Sequence, residues 1–499
     1  FLYYIIHVEK YYKERKEEEN STQLMEGGKL KLRQYAAVFA VMVFLSVFFL
    51  IPPATYVSEQ TVANCELKGC SHVIIGKDAT ADGSVMHYHT EDLGSNVCAH
   101  LHFYPRMTHE PGEVIHFAWE DVPQVPVTYA YSANEAYAYE VYLGFPFDGM
   151  NEYGVSMGCN SISSKVPSLP PETGLTLSEV IQLVFERSKT AREAVDVIAW
   201  VVETYGVSVW GDCSYLVADA DEGWLVEVAK THWVALRCPD DGAIFYANQM
   251  QIETEWDLAC DDLIDYAIAM DWYDPDSGPF NFREAYGRNL GRPYNVMREE
   301  RQRDLLEPKL GSITVQDLMS VIRDHYEGTP YYHYPPHVGN PYRTICISRT
   351  QAPFVWHLRN DMPVDIGCVM WYAMSSPCTT VFTPIYAGHM EDFPVEYSLG
   401  QDTFDPESAW WTFEQIQRMT DKDYAGTIGQ IRKVWDQCES QEFKQTAQLE
   451  KTALIQWVSG HKEQAQKLLT EYTNTQLHAH FLKARALLKW VSLKVAVPA

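Results

Sequence analysis

Gly69-Cys-Ser-His-Val-Ile-Ile-Gly-Lys-Asp-Ala-Thr-Ala-Asp-Gly-Ser-Val-Met-His-Tyr-His-Thr-Glu-Asp92 is the stretch on which the fold turns. Cys70–Gly76 is a short, mostly apolar run. Asp78–Gly83 carries turn chemistry, and Ser84–His89 reads as a returning strand, so 70–90 is an expected β-hairpin. Within a strand, alternate residues share a face, so His87 and His89 point to the same side.

Working outward, the chain stays strand-rich to about Pro167. The period then changes. Leu177, Val180, Ile181, Val184 and Phe185 recur at helical spacing, and Ala194, Val197, Ile198 and Val201 repeat the pattern after a break near Lys189-Thr190. Strand-like runs return at Ser214–Val217, Trp224–Val228, Trp233–Arg237 and Ile244–Ala247. A mixed segment covers 255–325, and further strands are expected at Thr344–Ser348, Val355–Leu358 and Val369–Ala373. The tail 408–495 has few Gly or Pro and reads as helical. Strands, helices and strands again predict an α+β fold with sheets packed against helical layers.

The N-terminus is of another kind. Residues 1–24 are read as upstream or non-native sequence, since the first initiator candidate is Met25. Lys29, Lys31 and Arg33 precede the apolar run Ala36–Ile51, which ends at Pro52-Pro53. That layout, over 25–54, is a secretory signal, or a signal anchor if it is left uncleaved. Either reading sends the rest of the chain out of the cytosol, to a secreted or lumenal location. Membrane contact is expected only if 36–51 stays attached.

Hydrophobic residues make up 46% of the 499, enough for a large core. The formal charge of −28 repels phosphate backbones and argues against a nucleic-acid partner. Eleven Cys without a CxxC pair argue against a disulfide scaffold, a zinc ribbon or a thioredoxin-type centre.

Several constellations could carry chemistry. Gly154-Val-Ser-Met-Gly158 matches G-x-S-x-G, but a nucleophile elbow needs a helix directly after the Ser, and Asn160-Ser-Ile-Ser-Ser with Pro167, Pro170 and Pro171 follows instead. Ser156 is therefore read as a strand residue. His87/His89 and His100/His102 could pair on a metal with Glu91 or Asp92 in support, although ordinary polar strand faces are the commoner outcome. Tyr331-Tyr-His-Tyr-Pro-Pro-His337 is either a pocket lining or a packed Pro-rich turn, with the turn favoured. From local sequence alone, Cys70 is favoured as a core thiol or half of a disulfide with Cys65.

Taken together, the 69–92 stretch resembles the start of mature family C69 dipeptidases, a secernin-related group of N-terminal nucleophile (Ntn) hydrolases. Gly149-Met-Asn-Glu-Tyr-Gly-Val-Ser-Met-Gly-Cys-Asn160 is similar to the family's N-E-x-G turn and strand. Lys189–Ala194, Phe245-Tyr-Ala-Asn248, Arg343-Thr-Ile, Leu358-Arg359, Pro363, Ile366-Gly367, Trp371 and Pro384–Gly388 follow in the family's order. The resemblance implies an Ntn αββα sandwich over 70–400, with the 401–499 helices packed on it as an extension. It also implies a propeptide over 55–69 and amide hydrolysis of short peptides without a cofactor. Asp92 matches the residue that holds the α-amine, Asn160 and Asn248 match the oxyanion and substrate-orienting side chains, and Arg343 matches an Arg near the thiolate.

The chemistry follows from Cys70. A thiol is nucleophilic as thiolate, and its ordinary pKa is about 8.5. Cleavage after Gly69 would give Cys70 a free α-amine of pKa about 8, which can take the thiol proton and return it to the leaving amine. One feature departs from the family: its Arg-Asn-Glu-Asp reads His89-Thr-Glu-Asp92 here. A His in that place restores the positive charge only in an acidic compartment. Removing Cys65 with the propeptide and reserving Cys70 leaves nine Cys, an odd number. The alternatives are an Ntn acylase acting on a non-peptide amide, and a silent, membrane-anchored binding protein of the same fold. A homo-oligomer stays open.

Overall fold

The 69–92 stretch folds as a hairpin in the computed structural model, which describes residues 69–94, 96–138, 141–208 and 211–496. The expected signal and anchor segment, and all of the propeptide but Gly69, lie outside the described residues. β1 (Ser71–Ile75) and β2 (Val85–Glu91) pair antiparallel, with His72 opposite His89 and Ile75 opposite Met86. Thr80 Oγ1 donates to the Ser84 carbonyl at 2.8 Å and closes the turn.

β3 (Cys98–Tyr104) leads into four short strands that form two small ribbons, β4 (Met107–Thr108) with β7 (Val127–Thr128) and β5 (Val114–His116) with β6 (Asp121–Pro123). A meander follows: β8 (Tyr131–Ala138), β9 (Val141–Asn151) and β10 (Ser156–Ser161). After two helices, β11 (Asp212–Ala218), β12 (Gly223–Ala229) and β13 (His232–Arg237) extend the same sheet, and β14 (Ala243–Tyr246) crosses to the hairpin. β15 (Leu258–Ala259) caps the edge beside β13. The last strands are β16 (Ala352–Leu358), β17 (Cys368–Tyr372) and β18 (Thr383–Tyr386). The result is a six-stranded sheet, β14-β1-β2-β16-β17-β18, and an eight-stranded one, β15-β13-β12-β11-β10-β9-β8-β3.

Helices cover the outer face of each sheet. α1 (Leu177–Arg187) starts at a capping box between Thr176 and Glu179, and α2 (Ala191–Thr204) at an N-cap bond from Glu193 N to Thr190 Oγ1. Between them Ser188 is extended, which is the break expected near Lys189. Val180, Ile181, Val184, Val195 and Ile198 are fully buried against the eight-stranded sheet. α3 (Leu263–Ala269), α4 (Phe282–Tyr286), α5 (Pro293–Leu306) and α6 (Val315–Ile322) fill the expected mixed segment. α6 packs on β2 and β16. After α7 (Val364–Gly367), the tail runs as α8 (Ala409–Lys422), α9 (Tyr424–Val458) and α10 (Lys462–Ala496). Trp410, Trp411, Trp435 and Phe481 from these helices join Trp356, Met370 and Ile385 in one core. The αββα layering and the helical C-terminal region are those the resemblance implies.

One expected strand is absent. Thr344–Ser348 is loop. Thr344 Oγ1 donates to the Cys346 carbonyl (2.6 Å) and Cys346 N to the Asp324 carbonyl (3.0 Å), so a side-chain bond and a single bond to the loop after α6 take the place of a ladder. Ser156 lies within β10, fully buried, as its strand reading requires. Among the described residues no helix is long and apolar enough to cross a membrane.

Candidate active site

Cys70 stands just before β1 and is 6% exposed. Strand alternation puts Cys70, His72 and Ile74 on one face, toward the other sheet. The Cys70 thiol lies 3.6 Å from Glu91 Oε1. Burial raises its pKa well above the usual thiol value, and the negative charges of Glu91 and Asp92 raise it further, against a backbone N–H of Asp92 that lowers it. A thiol so placed keeps its proton unless a base takes it.

Four of the five expected site residues gather at the Gly69-Cys70 bond. Asp92 ends the hairpin and makes a buried ion pair with Arg343, whose guanidinium also donates to the Gly69 carbonyl. Asp92 Oδ2 accepts from Thr90 Oγ1 at 3.1 Å, while its Oδ1 is buried without a partner. Asn248 follows β14. Its Nδ2 donates to the Ser161 carbonyl (3.0 Å), and its Oδ1 would stand 2.3 Å from a Cβ at Gly69. Gly69 also has φ +150°, a conformation that L side chains rarely adopt.

Asn160, from β10, is fully buried and comes in from the facing sheet. Its Oδ1 is 3.2 Å from His72 Nδ1, and its Nδ2 is a buried donor without a partner. The chain continues from His72 Nε2 to His87 Nδ1 (3.1 Å) and from His87 Nε2 to Ser156 Oγ (2.6 Å). Burial, with neighbouring imidazoles, holds His72 and His87 well below the usual His pKa, so both are neutral. His72 therefore fixes the Asn160 amide with its NH₂ turned away from the histidines.

His89 Nδ1 bonds Asp148 Oδ1 at 2.6 Å. Gly158 admits this pair: a Cβ there would meet Asp148 Oδ1 at 2.7 Å and His89 Cγ at 3.2 Å. One donor atom each from Cys70, His89 and Glu91 lie within 4.8 Å of one another, the local set that could hold a metal. His87 has both ring nitrogens engaged by His72 and Ser156. His100 Nε2 bonds the Gly400 carbonyl at 2.8 Å, and His102 faces Glu135.

Sequence reasoning missed Arg298 and His72. Arg298 comes from the second turn of α5 and is fully buried. Its Nη1 donates to the Cys70 carbonyl (2.6 Å), Ser71 Oγ (3.2 Å) and the Gly69 carbonyl (3.4 Å), and its Nη2 donates to Asn248 Oδ1 (2.9 Å) and Asn295 Oδ1 (2.8 Å). Burial and the Arg343 charge lower its pKa to about 10, so it stays cationic at neutral pH. The Gly69 carbonyl thus accepts from two guanidinium groups. A charged residue on a helix of mixed polarity gives no sequence signal, whereas His72 could have been found from its alternation with Cys70. A cleft of about 590 Å³ opens beside Ser161 and Asp212, with Lys165, Lys230 and Arg288 on its walls.

The model for Peptidase family C69 matches residues 69–437, a span that contains every site residue above. Probable dipeptidase B of Lactococcus lactis subsp. lactis (strain IL1403) is 24% identical over 402 residues, covering 73% of this chain and 83% of that protein. Dipeptidase A of Lactobacillus helveticus is 25% identical over 365 residues, covering 64% and 75%. Penicillin V acylase from Agrobacterium tumefaciens aligns over 64% of this chain and 86% of its own, with 18% identity and a TM-score of 0.37. The chain is a peptidase. It belongs to peptidase family C69.

Proposed function

We propose that the protein is a cysteine dipeptidase whose nucleophile is Cys70, exposed by cleavage after Gly69. The observation that carries this reading is that two side chains of the site each keep an unpartnered buried atom, Asp92 Oδ1 and Asn160 Nδ2. The first suits an ammonium group and the second an oxyanion.

In the uncut chain, Cys70 Sγ attacks the Gly69 carbonyl carbon, and the oxyanion is held by Arg343 and Arg298. The thiol proton passes to the Cys70 nitrogen as the peptide bond breaks. Water then hydrolyses the thioester, giving a Gly69 carboxylate and a free Cys70 amine. In the mature enzyme that amine, held by Asp92, takes the thiol proton. The thiolate attacks the substrate carbonyl, Asn160 and Asn248 hold the oxyanion, and the ammonium proton goes to the leaving amine. Water releases the acyl group and restores the thiol. The cationic cleft beside Ser161 would receive a carboxylate of a short peptide, with Arg288 and Lys165 as its partners.

The test is a panel of dipeptides and N-acyl amides given to wild type and Cys70→Ala. Dipeptide hydrolysis that disappears in Cys70→Ala is the expected result. Turnover of N-acyl amides alone, or unchanged turnover in the variant, rejects the reading.

A further inference from the structure

Away from Cys70, four buried side chains converge on a point that the peptidase reaction does not use. His325 follows α6, His337 and Cys346 lie on the Pro-rich loop, and Cys378 sits in the short turn Pro377–Thr379 between β17 and β18. Cys346 is fully buried, and His325, Cys378 and the His337 side chain are 1–4% exposed. One donor atom from each lies within 4.8 Å of the others.

The outer partners orient both imidazoles. His325 Nδ1 bonds Glu327 Oε1 at 2.9 Å, and His337 Nδ1 bonds Asp421 Oδ1 of α8 at 3.1 Å. Gln417 Nε2 lies 2.8 Å from that same Asp421 oxygen and from His337 Nδ1. Where each Nδ1 proton is directed at its carboxylate, each Nε2 turns a lone pair inward, and the two Nε2 atoms are 3.0 Å apart. A cation between them offsets the repulsion of the opposed lone pairs.

The spacing is close to that of a tetrahedral zinc site. A tetrahedral zinc with bonds of about 2.0–2.1 Å to nitrogen and 2.3 Å to sulfur separates two nitrogens by about 3.3 Å and nitrogen from sulfur by about 3.6 Å. The observed values are 3.0 Å for the nitrogens, and 3.8 and 3.9 Å from His337 Nε2 to the Cys346 and Cys378 sulfurs. Two thiols and two imidazoles are the donor set of Zn²⁺ and unsuited to Mg²⁺ or Ca²⁺. The carboxylates behind both histidines are the outer arrangement that raises imidazole basicity in zinc sites.

We propose that His325, His337, Cys346 and Cys378 form a structural zinc site that fastens the Arg343 loop to the β17–β18 turn and α8. Binding replaces the two thiol protons with one Zn²⁺ and leaves no open position, so the ion takes no part in hydrolysis. Cys346 is three residues from Arg343, and the site thereby fixes the loop that carries that guanidinium to Asp92. The inference stands whether or not Cys70 is the nucleophile.

The test is metal analysis of the full chain, expressed with zinc and desalted, followed by exchange to Co²⁺. About one zinc per chain, with visible cobalt bands and thiolate-to-cobalt charge transfer, is expected. Glu327→Ala should weaken zinc binding by about 10–100-fold. His325→Cys, which keeps four donors, should retain the metal even if Cys346→Ala fails to fold. Less than about a tenth of a zinc per wild-type chain overturns the proposal, as does a Cys346–Cys378 disulfide found by peptide mapping.

Discussion

At the scale of the residue, Gly69 and Asn160 are the most informative positions. A methyl group at Gly69 would collide with the Asn248 amide and strain a backbone at φ +150°. Gly69→Ala is expected to leave the fold intact but to block or greatly slow cleavage, seen as an uncut chain by intact mass. Clean processing of the variant would remove Asn248 from the account of that bond. Asn160→Ala should lower kcat by about 10²–10³ with little change in KM, the usual loss for one oxyanion donor. A rise in KM alone would make Asn160 a binding residue only. Cys70, Asp92, Asn160, Asn248 and Arg343 could be singled out as candidates because each sits in a short motif of the resemblance. Arg298 was not, because its role depends on where α5 docks. The zinc ligands were invisible for the same reason, since residues 325, 337, 346 and 378 meet only through tertiary packing.

At the scale of the element, apolar periodicity identified α1 and α2, turn chemistry the hairpin, and the scarcity of Gly and Pro the tail helices. It failed at Thr344–Ser348, where side-chain bonds replace a strand partner. The α9–α10 pair carries a pH-dependent contact. Glu442 accepts from Tyr472 Oη at 2.5 Å and faces His480 Nε2 at 3.4 Å. Burial raises its pKa to about 7, while His480 is held down at about 3 and is neutral. The folded carboxyl keeps its proton to about pH 7, whereas the unfolded one loses it near 4.3. Its contribution to stability is full below about 4.3 and is lost as pH rises through 7. Glu442→Gln, neutral at every pH, should therefore gain on wild type in thermal midpoint between pH 5 and pH 8. A difference that does not vary with pH contradicts the assignment.

At the scale of the whole molecule, the tail helices complete the core. Trp410, Trp411 and Trp435 are almost wholly buried and share a cluster with Trp356 and Met370 of the six-stranded sheet. Truncation after Gly400 should expose that face and yield insoluble or unfolded protein, whereas a soluble, cooperatively melting 69–400 fragment would make the tail dispensable. In the proposed maturation one sulfur, held on an amide-linked residue in the precursor, becomes the side chain of a first residue. Sequencing the N-terminus of active enzyme from its native source tests this most directly. Cys70 is expected as the first residue of every active chain; fully active protein that still carries Lys68-Gly69 ahead of it would contradict an N-terminal nucleophile.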